Sequence, residues 1–160
     1  MLLVSAWLVA FGALLHLAIP LGGPSWYRLF GAPERLVAMA EAGATRPLLT
    51  CVVIAALLGV VAAYGFSGAG VIRRLPLRRP ALALIGTGLV VRGLGFVPLA
   101  LWRPGMLARI CGDCSQVNAF LLITSALCLF VGVGYLSGVG SATTATASCS
   151  KSDAIFRRSP

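Results

Sequence analysis

Charge is what this 160-residue chain has little of: 11% of its residues are charged, only four are acidic, and it has one histidine. A soluble domain carries about 25% charged residues, so the shortage argues against an ordinary water-soluble fold. The side chains must be buried in something besides their own core. The four acids are Glu34, Glu41, Asp113 and Asp153, and none falls within an apolar run. No carboxylate is therefore available there to pair with a buried cation. A single histidine excludes bis-histidine haem ligation within one chain, and no four-ligand set for structural zinc is evident. The start, Met1-Leu2-Leu3-Val4, lacks a basic n-region, and no clean small-x-small cleavage site precedes Pro20. A cleaved signal peptide is not expected, and the segment reads as a permanent helix.

What is present is apolar: 59% of residues are hydrophobic and the mean hydropathy is +0.96. Four long runs stand out, at residues 2–21, 48–66, 81–101 and 119–136, with Arg92 the one interruption in the third. Crossing ~30 Å of hydrocarbon takes about 20 helical residues, and helices satisfy their own backbone, as lipid requires. The expected fold is all-α: an integral membrane four-helix bundle over residues 1–138. The tail from 139 to 160, rich in Ser, Thr and Ala, has nothing to bury and reads as disordered.

The net charge of +9 comes from 13 Lys+Arg against four acids. Nucleic acid is not the expected partner, because the arginines lie between apolar runs and not along a basic helix. Arg73, Arg74, Arg78 and Arg79 crowd the short loop between the second and third runs. By the positive-inside rule this loop is cytoplasmic, with anionic lipid headgroups as its partner. Both termini then lie in the cytoplasm too. Across the membrane, residues 22–47 form a long first outer loop. Its Ser25-Trp26-Tyr27-Arg28 stretch suits an interfacial belt. Pro33 can open a short interfacial helix with Glu34 in its first turn, and Gly43 can end it. Leu36, Met39, Ala40 and Gly43 share one face of that helix, and Glu34 and Glu41 another. Ala55, Gly59 and Ala63 in the second run, and Gly134 and Gly138 in the fourth, form small-residue stripes suited to close helix packing.

Arg92 is the twelfth residue of its 21-residue run, near the bilayer midplane, where arginine costs about 2.5–3.5 kcal/mol. Gly88, Gly93, Gly95 and Pro98 surround it, and Pro98 frees a backbone carbonyl that the arginine can reach. Snorkelling explains Arg92 as well as a binding role does. His16 lies roughly 8 Å inside the outer end of the first run at 1.5 Å per residue; a packing histidine is the plain alternative. The candidate ligand pocket therefore combines His16, Arg92, Glu34, Glu41 and Trp26 in the outer half of the bundle. It would take a lipid, quinone or small metabolite, with no resident metal or cofactor and no catalysis expected. Docking on a larger membrane complex, or a small transporter subunit acting as an oligomer, are the competing non-enzymatic readings.

Five cysteines remain: Cys51, Cys111, Cys114, Cys128 and Cys149. Cys111-Gly-Asp-Cys114 is a CxxC on the outer side, where a disulfide is allowed. A CxxC at the outer mouth of four helices resembles the quinone-linked thiol oxidases, namely the disulfide-bond-forming membrane oxidoreductases and vitamin K epoxide reductases. That resemblance implies thiol–disulfide exchange at Cys111 and Cys114 with a quinone as cofactor. Those families use a second cysteine pair, whereas here Cys51 is followed by Val52-Val53-Ile54 and the first outer loop has no cysteine. A second resemblance is to a group of small bacterial inner-membrane proteins. It is carried by Gly22-Gly-Pro-Ser-Trp-Tyr-Arg-Leu-Phe-Gly-Ala-Pro-Glu-Arg35, Tyr64-Gly-Phe-Ser-Gly-Ala-Gly-Val-Ile-Arg-Arg74 and Arg92-Gly93. It implies four helices and a bacterial inner membrane, and brings no activity with it.

Overall fold

The computed structural model describes residues 1–102 and 122–139. Helix α1 spans Leu2–Ala18 and runs into a 3₁₀ turn, Ile19–Gly22. Two short helices follow, α2 (Pro24–Leu29) and α3 (Glu34–Glu41), then the long α4 (Arg46–Gly68) and α5 (Arg78–Trp102). A last helix, α6, covers Leu122–Val139. Among the described residues there is no strand. Among the described residues, three segments are long and apolar enough to cross a membrane: Leu2–Gly22, Arg46–Gly68 and Leu122–Val139. Their outward faces are apolar, with Trp7, Phe11, Leu14, Leu57, Val60 and Ile123 all exposed. Such a surface would be untenable in water and is natural in lipid.

The first two expected spans extend past their sequence limits, to 22 at one end and from 46 to 68 in the other. Arg46 and Pro47 belong to α4 because a proline in the first helical turn surrenders no hydrogen bond. The last helix continues to Val139, beyond the expected 136. Ser137 stays helical by donating its hydroxyl to the Gly134 carbonyl within its own helix. Val139, which the expected disordered tail included, is helical, and 140–160 lie outside the described residues. So do Cys111, Cys114 and Cys149.

Packing is tightest at the end of the bundle holding the N-terminus of α1, the C-terminus of α4 and the arginine loop. Leu2, Val9, Ala62, Leu82, Val131 and Tyr135 form the core there. Glycines permit the approach. A Cβ on Gly65 would lie 2.6 Å from the Tyr135 hydroxyl and 2.8 Å from the Ala6 Cβ. One on Gly134 would collide with the Ser5 hydroxyl, and one on Gly138 would lie 2.5 Å from Leu2. Gly86 and Gly93 of α5 face α6, and Gly132 of α6 faces Gly86 and Val90 in return. The Gly134–Gly138 stripe is therefore intramolecular. The Ala55–Gly59–Ala63 stripe is not one packing face: Gly59 is exposed, with nothing within 4 Å of an added Cβ, and the buried line of α4 runs Cys51, Ala55, Ala62, Gly65. Tyr135 donates to the Val61 carbonyl at 2.9 Å, pinning α6 to α4.

The arginine loop is tied by one serine. Ser67 is fully buried, donates to the Arg73 carbonyl at 3.1 Å and accepts from the Leu75 amide at 2.9 Å. Its own carbonyl, near the C-terminus of α4, accepts from the Arg78 guanidinium at 3.2 Å. A cation is favourable at that position because it meets the negative end of the helix dipole. Leu77 closes the loop at φ 55°, a conformation that costs a leucine roughly 1–2 kcal/mol.

Candidate functional site

The opposite end is built differently. Between α1 and α4 the chain folds a small cap, α2 and α3, jointed by three glycines at positive φ: Gly23 at 71°, Gly31 at 70° and Gly43 at 70°. The Trp26 indole closes over Gly22, where any Cβ would collide with it. The six-residue α2 was not anticipated from sequence. Its signal was Gly22-Gly23-Pro24, a flexible joint followed by a proline set in the first helical turn.

The cap is held by one apolar cluster and one ionic cluster. Ile19, Tyr27, Val37 and Cys51 are buried together, with Phe30, Ala32 and Ala40 packed against them. Val37 is 0% exposed, which is worth roughly 1.5–3 kcal/mol relative to exposure. The buried face of α3 thus centres on Val37, one position round from the expected Leu36–Met39–Ala40–Gly43 face; Gly43 is exposed. On the outside, the Arg28 guanidinium lies 2.7 Å from Glu41 and 3.6 Å from Glu34, joining α2 to both ends of α3. All three are well exposed, so the pairs set register more than they stabilise.

Under the cap lies a recess of about 160 Å³. Its floor is His16, Ile19, Pro47, Thr50, Cys51 and Ile54 from α1, the 3₁₀ turn and α4; its roof is Tyr27, Phe30, Ala32, Pro33 and Leu36. The lining is mostly apolar with a few polar side chains among it, His16, Tyr27, Thr50 and Cys51, a composition like that of small-molecule sites. Their hydrogen-bond state is specific. His16 Nδ1 bonds the Gly12 carbonyl at 2.8 Å. A carbonyl only accepts, so Nδ1 carries the hydrogen and Nε2 of the neutral ring is an acceptor; it has no partner among the described residues. The Cys51 thiol donates to the Tyr27 hydroxyl at 3.8 Å. That pair holds two hydrogens and makes one bond, so one donor hydrogen is left unspent. Burial, and after it the Cys51 thiol, push the Tyr27 hydroxyl up to about 12, so it remains a donor throughout the physiological range. Thr50 turns its hydroxyl back to the Arg46 carbonyl at 2.9 Å.

Of the residues proposed from sequence, the recess takes His16. Glu34 and Glu41 are outside it and paired with Arg28. Trp26 is 40% exposed and leans on Phe30 with ring centroids 6.1 Å apart. Arg92 lies on an exposed face of α5, beside Gly88 and Gly95, which have open space around them. Tyr27, Phe30 and Thr50 were missed as site residues, and Cys51 was noted only as one of the five cysteines. The cue for Tyr27 was a hydroxyl-bearing aromatic within the long first outer loop.

No family model matches the chain, and neither a curated protein nor a solved structure resembles it at significance. Both family resemblances therefore rest on the quoted stretches alone. What fold and recess define together is a class: a small helical protein with helices long and apolar enough to cross a membrane and a capped apolar recess.

Proposed function

We propose that this protein is a non-enzymatic, four-span membrane protein that binds a small apolar ligand, such as a lipid part, a quinone or a metabolite, in the recess under the α2–α3 cap. The observation carrying this reading is an apolar recess that converges on unspent hydrogen-bonding capacity at His16 and at Tyr27–Cys51. In this reading α5 is the fourth crossing: its 25 residues reach about 37 Å at 1.5 Å per residue. The arginine loop faces the cytoplasm, together with the N-terminus of α1 and the C-terminal end of α6. The cap and recess face the outside of a bacterial inner membrane. The positive-inside rule supports that orientation.

The test is native mass spectrometry of protein released gently from its membrane, wild type beside Ala32→Trp, which fills the roof of the recess. A small-molecule adduct on wild type that is lost in Ala32→Trp is the expected result. Adducts of equal abundance on both proteins, or on neither, would contradict the reading.

A further inference from the structure

We infer that the recess is built for a neutral ring of about phenol size, held by one hydroxyl that donates to His16 and accepts from the Tyr27–Cys51 pair. This rests on the reading of the recess as a ligand site. Size comes first. A cavity of about 150 Å³ lined by apolar side chains holds benzene, and the recess is about 160 Å³. One six-membered ring with a substituent fills that volume. Two aromatic rings, Tyr27 and Phe30, and two prolines, Pro33 and Pro47, supply flat apolar walls against which such a ring can lie.

Polarity then narrows the class. The lining offers one unspent acceptor, His16 Nε2, and one unspent donor hydrogen on the Tyr27–Cys51 pair. A hydroxyl is the smallest organic group that answers both at once, since it carries one hydrogen and two lone pairs. A carbonyl answers the donor and leaves the imidazole unmet. A carboxylate also cannot donate to His16, and no arginine or lysine lines the recess to balance its charge. An ammonium has no carboxylate there, because Glu34 and Glu41 are engaged with Arg28 outside. Water could meet the same two groups, but it would leave the aromatic walls unfilled. Burying a charge without a partner is far more costly than burying a hydroxyl with two hydrogen bonds, so a neutral hydroxylated ring wins.

The experiment is fluorine NMR on the full chain in lipid nanodiscs, with 4-fluorophenol, fluorobenzene and 4-fluorobenzoate as probes and protein-free nanodiscs as the partition reference. Saturable binding of 4-fluorophenol is expected, with the other two at least several-fold weaker. His16→Ala and Tyr27→Phe should each weaken it about fivefold, the worth of one hydrogen bond near 1 kcal/mol. His16→Gln, which keeps an acceptor, should recover most of the loss and separates lost binding from lost folding. Fluorobenzene binding as tightly as 4-fluorophenol, or His16→Ala leaving its affinity unchanged, would overturn the hydroxyl assignment while the ligand site stands. If no probe shows saturable binding that Ala32→Trp removes, the ligand site itself falls.

Discussion

The two ends of the bundle solve opposite problems with equally few polar atoms. At the arginine end, one buried serine meets a carbonyl and an amide of the neighbouring loop, and its own carbonyl receives a guanidinium. Glycines bring three helices together so closely that Gly65 touches Tyr135 and Ala6. Of its buried side-chain polar atoms, the Ser5 hydroxyl is unpartnered among the described residues, but it faces Gly134 with no room beside it. At the cap end, bulky side chains stand where glycines would have closed the gap, and a recess remains with hydrogen-bonding groups half used. The comparison teaches that filled space and spent hydrogen bonds mark an anchor, whereas their joint absence leaves room for the ligand proposed above.

Adding volume is the sharpest way to break the comparison. Gly65→Leu forces a side chain into the Tyr135–Ala6 contact and should cost on the order of 3 kcal/mol, the upper range for overpacking. Ala32→Leu adds a similar volume over the recess and should be neutral within about 1 kcal/mol, since a void accepts it. Thermal unfolding in one detergent, monitored by helical circular dichroism, compares the pair. Equal losses would mean that the two ends are packed alike.

Removing a polar atom should show the complementary contrast at smaller size. Ser67→Ala orphans the half-buried Leu75 amide and frees the Arg73 carbonyl, which should cost about 1–3 kcal/mol. Tyr27→Phe removes a hydroxyl whose bonding is only half used, and less than about 1 kcal/mol should be lost. The same unfolding measurement reads both. A larger loss for Tyr27→Phe would show that the cap hydroxyl is a structural strut.

Sequence made the long apolar helices legible, because length and hydropathy in lipid leave few alternatives. It also placed Pro33 and Gly43 at the two ends of α3 and marked the arginine loop. Which glycine packs was not legible. Gly59 and Gly65 look alike in the chain, and only the neighbouring helices make one a contact and the other open surface. The recess was half legible for a related reason. His16 stood out by type, but Tyr27 and Cys51 are 24 positions apart and meet only once the cap folds at Gly23 and Gly31. Glu34 and Glu41 suited a buried cation by charge and depth. A nearer arginine, Arg28, lies within the same cap and takes both.

The account turns on the recess being an open, fillable space beside Cys51. The most direct measurement is the labelling rate of Cys51 with N-ethylmaleimide in membranes, in a chain where the other four cysteines are serine. Cys51 should react, and Ala32→Trp should slow it by about tenfold, since thiol modification follows access. A chain keeping only Cys128, on α6, should be indifferent to the same substitution. An unchanged Cys51 rate in Ala32→Trp, or equal slowing at Cys128, would contradict the account.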